Sequence, residues 1–339
     1  MTASSVRARQ GWRWLAALLV LGAILAVPLF ARSDYPFVVG ITIATFAVLS
    51  TGLNLVYGYT GLLSFAQVAF FGIGGYASAI LVVERHWSVW AAVPVGAFLA
   101  LCFGLLIGYS ALRLSRHAFA IVSLSFALLS LIIARDWVEL TRGPMGMPGL
   151  PPPALVLPGI GRVLFDRPAT FYWLMTIYAL IALAVMYWLV NSRIGRALKA
   201  IKLNEPLAQS QGINALAYKL VAIGVSAVAT GIAGGFYVFY LTIVDPSIFD
   251  FYYTETMLIM VIVGGPGSFW GVVIASVVFS IVPDLLRFSS DLRLALYGIA
   301  LIAAMIAFPR GFAGYLQGRR LARWRADNAA IGDEAAPHA

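Results

Sequence analysis

The sequence predicts an all-α protein, a polytopic transmembrane helical bundle of about ten membrane segments. The chain has 339 residues, of which 61% are hydrophobic and only 11% are charged. Soluble chains are about 45–50% apolar and about 25% charged, so a water-facing fold could not bury this much apolar surface. The mean hydropathy of +0.90 agrees, and apolar runs near the length of about 20 residues needed to cross a bilayer recur along the chain.

Ten apolar runs are candidate membrane spans. The eighth is short, and a signal peptide is the alternative for the first. We expect a retained anchor there, because the apolar run is long for a signal peptide and ends in a poor cleavage site. The runs occupy 14–31, 36–57, 63–83, 89–112, 118–134, 171–190, 220–244, 252–264, 270–286 and 293–308.

The distribution of Lys and Arg predicts the orientation of the chain. With ten alternating spans and the N-terminus in the cytoplasm, fifteen of the 23 Lys and Arg residues fall in cytoplasmic segments, as the positive-inside rule requires. Both termini of this multi-pass protein are then cytoplasmic. The predicted regions are a cytoplasmic N-terminal segment 1–13, a membrane domain 14–316 and a cytoplasmic tail 317–339, with a cytoplasmic loop 191–219 and a periplasmic loop 135–170. The net charge of +9 does not indicate nucleic-acid binding, because apolar spans separate the basic residues.

The loop 135–170 contains "TRGPMGMPGLPPPALVLPG", which is too rich in Pro and Gly to predict helix or strand. We expect an ordered cap on the outer face.

The cytoplasmic loop is predicted to fold into two short helices. Ser192 is a cap for a helix over 193–203, and Asn204 is a cap for a second helix that ends at Gly212. Asn214 is a cap for the following span. From these residues alone, a connector resting on lipid headgroups is as well supported as a functional element.

A second stretch, "GYTGLLSFAQVAFFGIGGYASA" at 58–79, predicts a helix that begins inside the membrane after an irregular, glycine-rich segment. Ser64 and Gln67 match a capping box. Irregular backbone at this depth is tolerated only where it is buried or lines a cavity, so the stretch is either a tight packed turn or part of a translocation path. The candidate path residues are Ser64, Gln67, Phe70, Phe71 and Tyr76.

Small residues predict close helix packing at two places. Gly104 and Gly108 lie four residues apart, and so do Ala227, Gly231 and Gly235 in turn. A third glycine-rich stretch, "GGPGSFWG" at 264–271, favours a plain turn over a hairpin that re-enters the membrane.

The sequence has no enzymatic motif. It lacks a G-x-x-x-x-G-K-[ST] loop, an H-E-x-x-H helix, a G-x-S-x-G elbow and any cluster of His with carboxylates. Its single cysteine, Cys102, excludes an internal disulfide, and we predict no catalytic, cofactor or metal site. Ionisable residues are scarce within the spans, which disfavours a proton- or sodium-coupled carrier. A passive pore remains, or a path driven by another subunit.

Four stretches give the chain a family resemblance from about residue 36 onward. They are "GLNLVYGYTGLLSFAQVAFFGIGGYASA" (52–79), "TRGPMGMPGL" (141–150), "SRIGRALKAIKLNEPLAQSQGI" with "KLVAIGVSAVATGIAGGFY" (within 192–237) and "GGPGSFWGVVIA" (264–275). Together they resemble the M-type permease subunits of branched-chain amino-acid ABC transporters in the bacterial inner membrane.

The resemblance implies a function for the cytoplasmic loop. In this family a short helix with an E-x-x-A-x-x-x-G pattern docks on an ATPase, and the pattern falls on Glu205, Ala208 and Gly212. With Arg196 in the preceding helix, these residues are expected to couple ATP hydrolysis on a partner chain to transport. The implied partners are a homologous H-type permease, two cytoplasmic ATPase subunits, a periplasmic substrate-binding protein and membrane lipid. The chain would form half of the path, and Gln67 and Phe71 would face a cavity at the interface with the partner permease.

Two departures from the family pattern leave the substrate open. The family often has G-H where this chain has Ala66 and Gln67, and G-x-Y-F-A where it has "SRHAFA" at 115–120. Branched-chain amino acids are the default substrate, and urea, short amides and aromatic acids are alternatives. A carrier or channel that acts alone is the alternative class.

Overall fold

The computed structural model describes residues 33–157 and 161–285, and their side chains other than those of 156–162 and 282–285. The first and last candidate spans, 14–31 and 293–308, lie outside the described residues, as do both predicted terminal segments.

Eight apolar helices and three short ones form the described part of the chain. In chain order these are α1 (Tyr35–Leu53, extended by a π-helical turn Asn54–Gly58), α2 (Gln67–Arg85), α3 (Val89–Ala111), α4 (Arg116–Asp136), α5 (Val138–Thr141), α6 (Pro168–Asn191), α7 (Arg193–Leu203), α8 (Glu205–Ser210), α9 (Ala215–Leu241), α10 (Phe251–Gly264) and α11 (Phe269–Leu285). The short strands are β1 (Met147–Pro148), β2 (Ala154–Leu157), β3 (Gly161–Leu164) and β4 (Ile243–Val244), and 3₁₀ turns lie at Gly143–Met145 and Pro246–Phe249.

The apolar helices correspond to the eight candidate spans in this part of the chain. Seven segments are long and apolar enough to cross a membrane, counting the 3₁₀ turn with α10, and α11 contributes a shorter apolar helix at Phe269–Ile281. A polytopic helical protein is therefore confirmed. The total of ten segments stays a prediction.

The connections gather at two ends of the bundle. At one end, here the sheet end, β1 pairs with β4 (Met147 opposite Val244), and β2 and β3 form a hairpin. The indole Nε1 of Trp90, at the start of α3, donates a hydrogen bond to the carbonyl of Ala154 at 2.7 Å and ties this hairpin to the bundle. The other end carries α7 and α8 and is here the α8 end.

Strands within the Pro- and Gly-rich loop contradict the expectation that it holds neither helix nor strand. Its short β1 pairs with β4, which is contributed by the distant connection between α9 and α10. This pairing partner is not visible in the local composition. Within residues 33–157 and 161–285, the fold is helical with two small two-stranded sheets.

Helix α9 packs against both α2 and α3 through small residues. A Cβ added at Gly104 would lie 2.9 Å from the Cβ of Ala227, and one added at Gly231 would lie 2.8 Å from the Cβ of Ala100. These separations leave no room for larger side chains, so α9 and α3 approach closely only because the facing positions are small. The remaining small residues lie in the same contact region, Gly108 against Ile223 and Gly235 against Ser78 and Val93.

Candidate coupling and translocation sites

Capping side chains define α7 and α8. Ser192 Oγ accepts a hydrogen bond from the backbone N–H of Ile194, and Asn204 Oδ1 accepts one from Leu207, both at 3.1 Å. Gly212 follows α8 with φ of +80°, the left-handed conformation that ends many helices. The chain is thus turned sharply at both ends of a helix of six residues.

The α8 helix rests on the bundle through one small side chain. Ala208 is its buried residue and packs with Ile201 and Ala215. Leu203, the last residue of α7, and Leu207 in α8 are 86% and 60% exposed. Exposed apolar side chains that gather at one site on a protein surface mark an interaction site more often than chance contacts do.

The α7 helix separates basic and apolar residues. Gly195, Leu198 and Ile201 are buried, whereas the predicted coupling residue Arg196 is exposed together with Arg193. The helix that precedes α8 therefore has an exposed basic face.

Glu205 is tied to its own chain by an ion pair with Lys219, in the first turns of α9. The Lys219 Nζ lies 2.5 Å from Glu205 Oε1, and the side chain of Lys219 is 6% exposed against 27% for Glu205. A nearly buried ammonium needs a charged partner. Sequence reasoning assigned Glu205 to an ATPase contact and overlooked Lys219, although a lysine inside an apolar helix is itself a signal.

Three segments meet behind α7 at the α8 end. Lys202 Nζ donates a hydrogen bond at 2.7 Å to the carbonyl of Gly58, the last residue of the π-helical turn. Burial lowers the pKa of the Lys202 ammonium. The buried Asn54 accepts a hydrogen bond from the N–H of Gly267 at 2.9 Å and donates one to the carbonyl of Ser268 at 3.2 Å. The end of α1 therefore joins α7 to the short turn between α10 and α11.

The glycine-rich stretch is irregular at 61–66, and α2 begins at Gln67. The predicted capping box is wrong, because no side chain caps α2 and the Gln67 amide turns into the bundle. Its Nε2 donates to Thr230 Oγ1, and its Oε1 accepts from Ser226 Oγ at 3.0 Å. A buried amide left without partners is costly, and two hydroxyls of α9 satisfy it here.

The candidate path residues are all buried within the helical bundle. Gln67 is 1% exposed and Phe71 is 0% exposed in this chain on its own, and their place beside a cavity shared with a partner permease stays a prediction. Phe71 packs between Tyr237 and Tyr253, with ring centroids 5.4 and 5.5 Å away. The other three are also buried: Ser64 beside Ala66, Phe70 against Phe126 and Tyr76 stacked on Phe249.

Comparisons with known proteins agree with this architecture. The family model described as "Branched-chain amino acid transport system / permease component" matches residues 36–305. The chain is 28% identical to the high-affinity branched-chain amino acid transport system permease protein LivM of Escherichia coli over 88% of this chain and 74% of the relative. It is 28% identical to LivM of Salmonella typhimurium over 82% and 71%, and 26% identical to the permease protein LivH of Escherichia coli over 81% and 93%.

No solved structure matches the chain. The family model spans nearly all of the helical bundle, from the second residue of α1 to beyond α11. The resemblance seen in the sequence motifs is confirmed at the level of the family. This chain therefore belongs to the permease components of branched-chain amino acid transport systems.

Proposed function

We propose that this chain is the M-type permease subunit of an ATP-driven importer in the bacterial inner membrane. It forms half of a translocation path for branched-chain amino acids and pairs with an H-type permease. Two ATPase subunits bind at the α8 end, which is cytoplasmic, and a periplasmic binding protein delivers the substrate at the sheet end. The relatives LivM and LivH, both named as permeases for these amino acids, support the assignment.

The observation that carries the proposal is the exposed apolar tip formed by Leu203, the last residue of α7, and Leu207 in α8. The two side chains lie on either side of the turn at Asn204 and are largely exposed. Such a tip suits insertion into an apolar groove of a partner. The basic surface beside it, with Arg196, suits an acidic rim on the same partner.

Two contacts would carry movement of α8 into the membrane. The Glu205–Lys219 ion pair joins α8 to α9, and the Lys202–Gly58 hydrogen bond joins α7 to the end of α1. Helices α1 and α9 also hold Gln67 between them. A displaced α8 would therefore act on the irregular segment 61–66, beside which we expect the path.

Copurification of the ATPase tests the role of α8. Leu207→Glu places a charge on the tip without touching a membrane helix, so the permease pair should accumulate normally. Copurified ATPase should fall about tenfold, the effect of losing about 1.4 kcal/mol of binding energy. Leu114→Glu is the matched control, because Leu114 is also exposed and lies on the same side, between α3 and α4. Normal copurification with Leu207→Glu, or an equal loss with both variants, would contradict the proposal.

A further inference from the structure

A cleft of about 580 Å³ opens at the sheet end, away from α8. The last turns of α4 form one wall, and the segment between α9 and α10 forms the other. Pockets for small molecules occupy about 300–1,000 Å³, so the cleft has the size of a ligand site.

The cleft places opposite charges on opposite walls. Arg135 lies on the α4 wall, and Asp245 and Asp250 lie on the other. Within residues 33–157 and 161–285, no ion pair within 4.0 Å joins Arg135 to either aspartate. Because the opposite charges line one cleft without forming an ion pair, a ligand that carries both charges can bind between them.

Local hydrogen bonds hold the two carboxylates in place. Asp245 Oδ1 accepts from the backbone N–H of Ser247 at 2.7 Å, and Asp250 Oδ1 accepts from that of Tyr252 at 3.0 Å. Each cap involves one oxygen of its carboxylate. The carboxylates are therefore fixed before any ligand arrives, which reduces the entropy lost on binding.

Apolar side chains complete the lining. Leu131, Pro144 and Phe251 lie in the same cleft as the charged groups. A guanidinium, two carboxylates and an apolar wall together complement an α-carboxylate, an α-ammonium and an aliphatic side chain. A free aliphatic amino acid has these three groups on one carbon atom.

We propose that this cleft is a subsite for a zwitterionic aliphatic amino acid on its way into the membrane. Arg135 binds the carboxylate, and Asp245 and Asp250 bind the ammonium group. The inference rests on the proposed function, because it takes the sheet end as the side from which substrate arrives.

The inner end of the cleft meets the irregular segment. The ring of Phe251 stacks on that of Phe65, with centroids 6.4 Å apart and planes at 21°. Phe65 lies just before α2, and its N–H donates a hydrogen bond to Ser123 Oγ at 3.0 Å. An amino acid that leaves the cleft inward therefore arrives beside the glycine-rich stretch.

Equilibrium binding to the complete transporter in nanodiscs, without the binding protein, tests the subsite. Radiolabelled leucine is the probe, and leucinamide and N-acetyl-leucine are competitors that lack the carboxylate charge and the ammonium charge, respectively. Each should compete about tenfold more weakly than leucine, because a charge-assisted hydrogen bond contributes about 1.5–3 kcal/mol. Arg135→Gln should weaken leucine about tenfold and remove the discrimination against leucinamide alone. The double variant Asp245→Asn with Asp250→Asn should weaken leucine binding about tenfold and remove the discrimination against N-acetyl-leucine alone.

The matched controls are Arg85→Gln and Glu139→Gln, both exposed at the sheet end outside the cleft, and they should bind leucine as the wild type does. Three results would overturn the subsite: no leucine binding by the wild type, equal competition by all three compounds, or unchanged binding in the cleft variants. Weaker binding-protein affinity with unchanged leucine binding would make the cleft a docking surface instead. Wild-type leucine uptake, measured in parallel with the binding protein present, separates the two proposals: if uptake is normal, only the subsite fails.

Discussion

Removal of the charge of Glu205 should free α8 from the bundle while leaving the membrane helices intact. In Glu205→Gln, Lys219 keeps its ammonium, 6% exposed, and loses its carboxylate partner. Breaking a fully buried pair costs about 3–5 kcal/mol, but Glu205 is 27% exposed, so water replaces part of the interaction. Because a hydrogen bond to a charged group contributes about 1.5–3 kcal/mol, we expect a loss of about 2 kcal/mol.

Hydrogen exchange of the α8 amides measures this loss directly. The amides of Ala208, Gln211 and Gly212 donate backbone hydrogen bonds to carbonyls in α8 or at its cap, and they exchange when α8 opens locally. A change of about 2 kcal/mol should speed that exchange about 30-fold. Amides in the middle of α9 should exchange at the wild-type rate.

A double-mutant cycle separates the ion pair from other effects of the substitution. In a Lys219→Met background no buried charge is left unpaired, so Glu205→Gln should change α8 exchange little. Arg193→Gln, an exposed change on α7, is the control. Unchanged exchange in Glu205→Gln, or an equal effect with and without Lys219, would refute the reasoning.

Three further predictions concern the same end of the bundle. Gly212→Val should abolish most uptake at normal abundance because Gly212 has φ of +80°, which a β-branched residue resists. Gly212→Asn should retain most uptake; since nothing lies within 4 Å of an added Cβ, equal loss in both variants would contradict a backbone cause. Lys202→Met should lower uptake several-fold by removing the hydrogen-bond donor to Gly58. The exposed control Arg193→Met should not lower uptake. Normal uptake in Lys202→Met would show that this contact is not part of the coupling route. In a Cys102→Ala background, Ser210→Cys should react with membrane-permeant maleimide alone if the α8 end is cytoplasmic; labelling by an impermeant reagent from the periplasm would reverse the orientation.

Local patterns in the sequence were sufficient for the existence of the described apolar helices and for the starts of α7, α8 and α9. The caps at Ser192, Asn204 and Asn214 act on amides two or three residues away, so a short window of sequence contains both partners. The left-handed turn at Gly212 is local in the same way. Apolar runs likewise define the membrane helices, because the bilayer imposes their length.

Long-range partners explain where the sequence predictions failed. Gln67 fits a capping box by spacing, but its amide binds Thr230 and Ser226, 163 and 159 positions away in the sequence. The Lys202–Gly58 contact spans 144 positions, and β1 finds its partner β4 across the whole of α6 to α9. These pairings depend on which helices become neighbours, and the composition of a short stretch does not contain that information.

Leucine uptake by proteoliposomes is the most direct test of the central claim that this chain transports as one subunit of an ATP-driven importer. The vesicles contain this chain with the H-type permease and both ATPase subunits, with ATP on the α8 side and the binding protein on the sheet side. Uptake should require ATP hydrolysis and the binding protein, and replacing ATP with a non-hydrolysable analogue should stop it. Leucine entry at the same rate without ATP or without the ATPase subunits would contradict the account and favour a carrier or channel that acts alone.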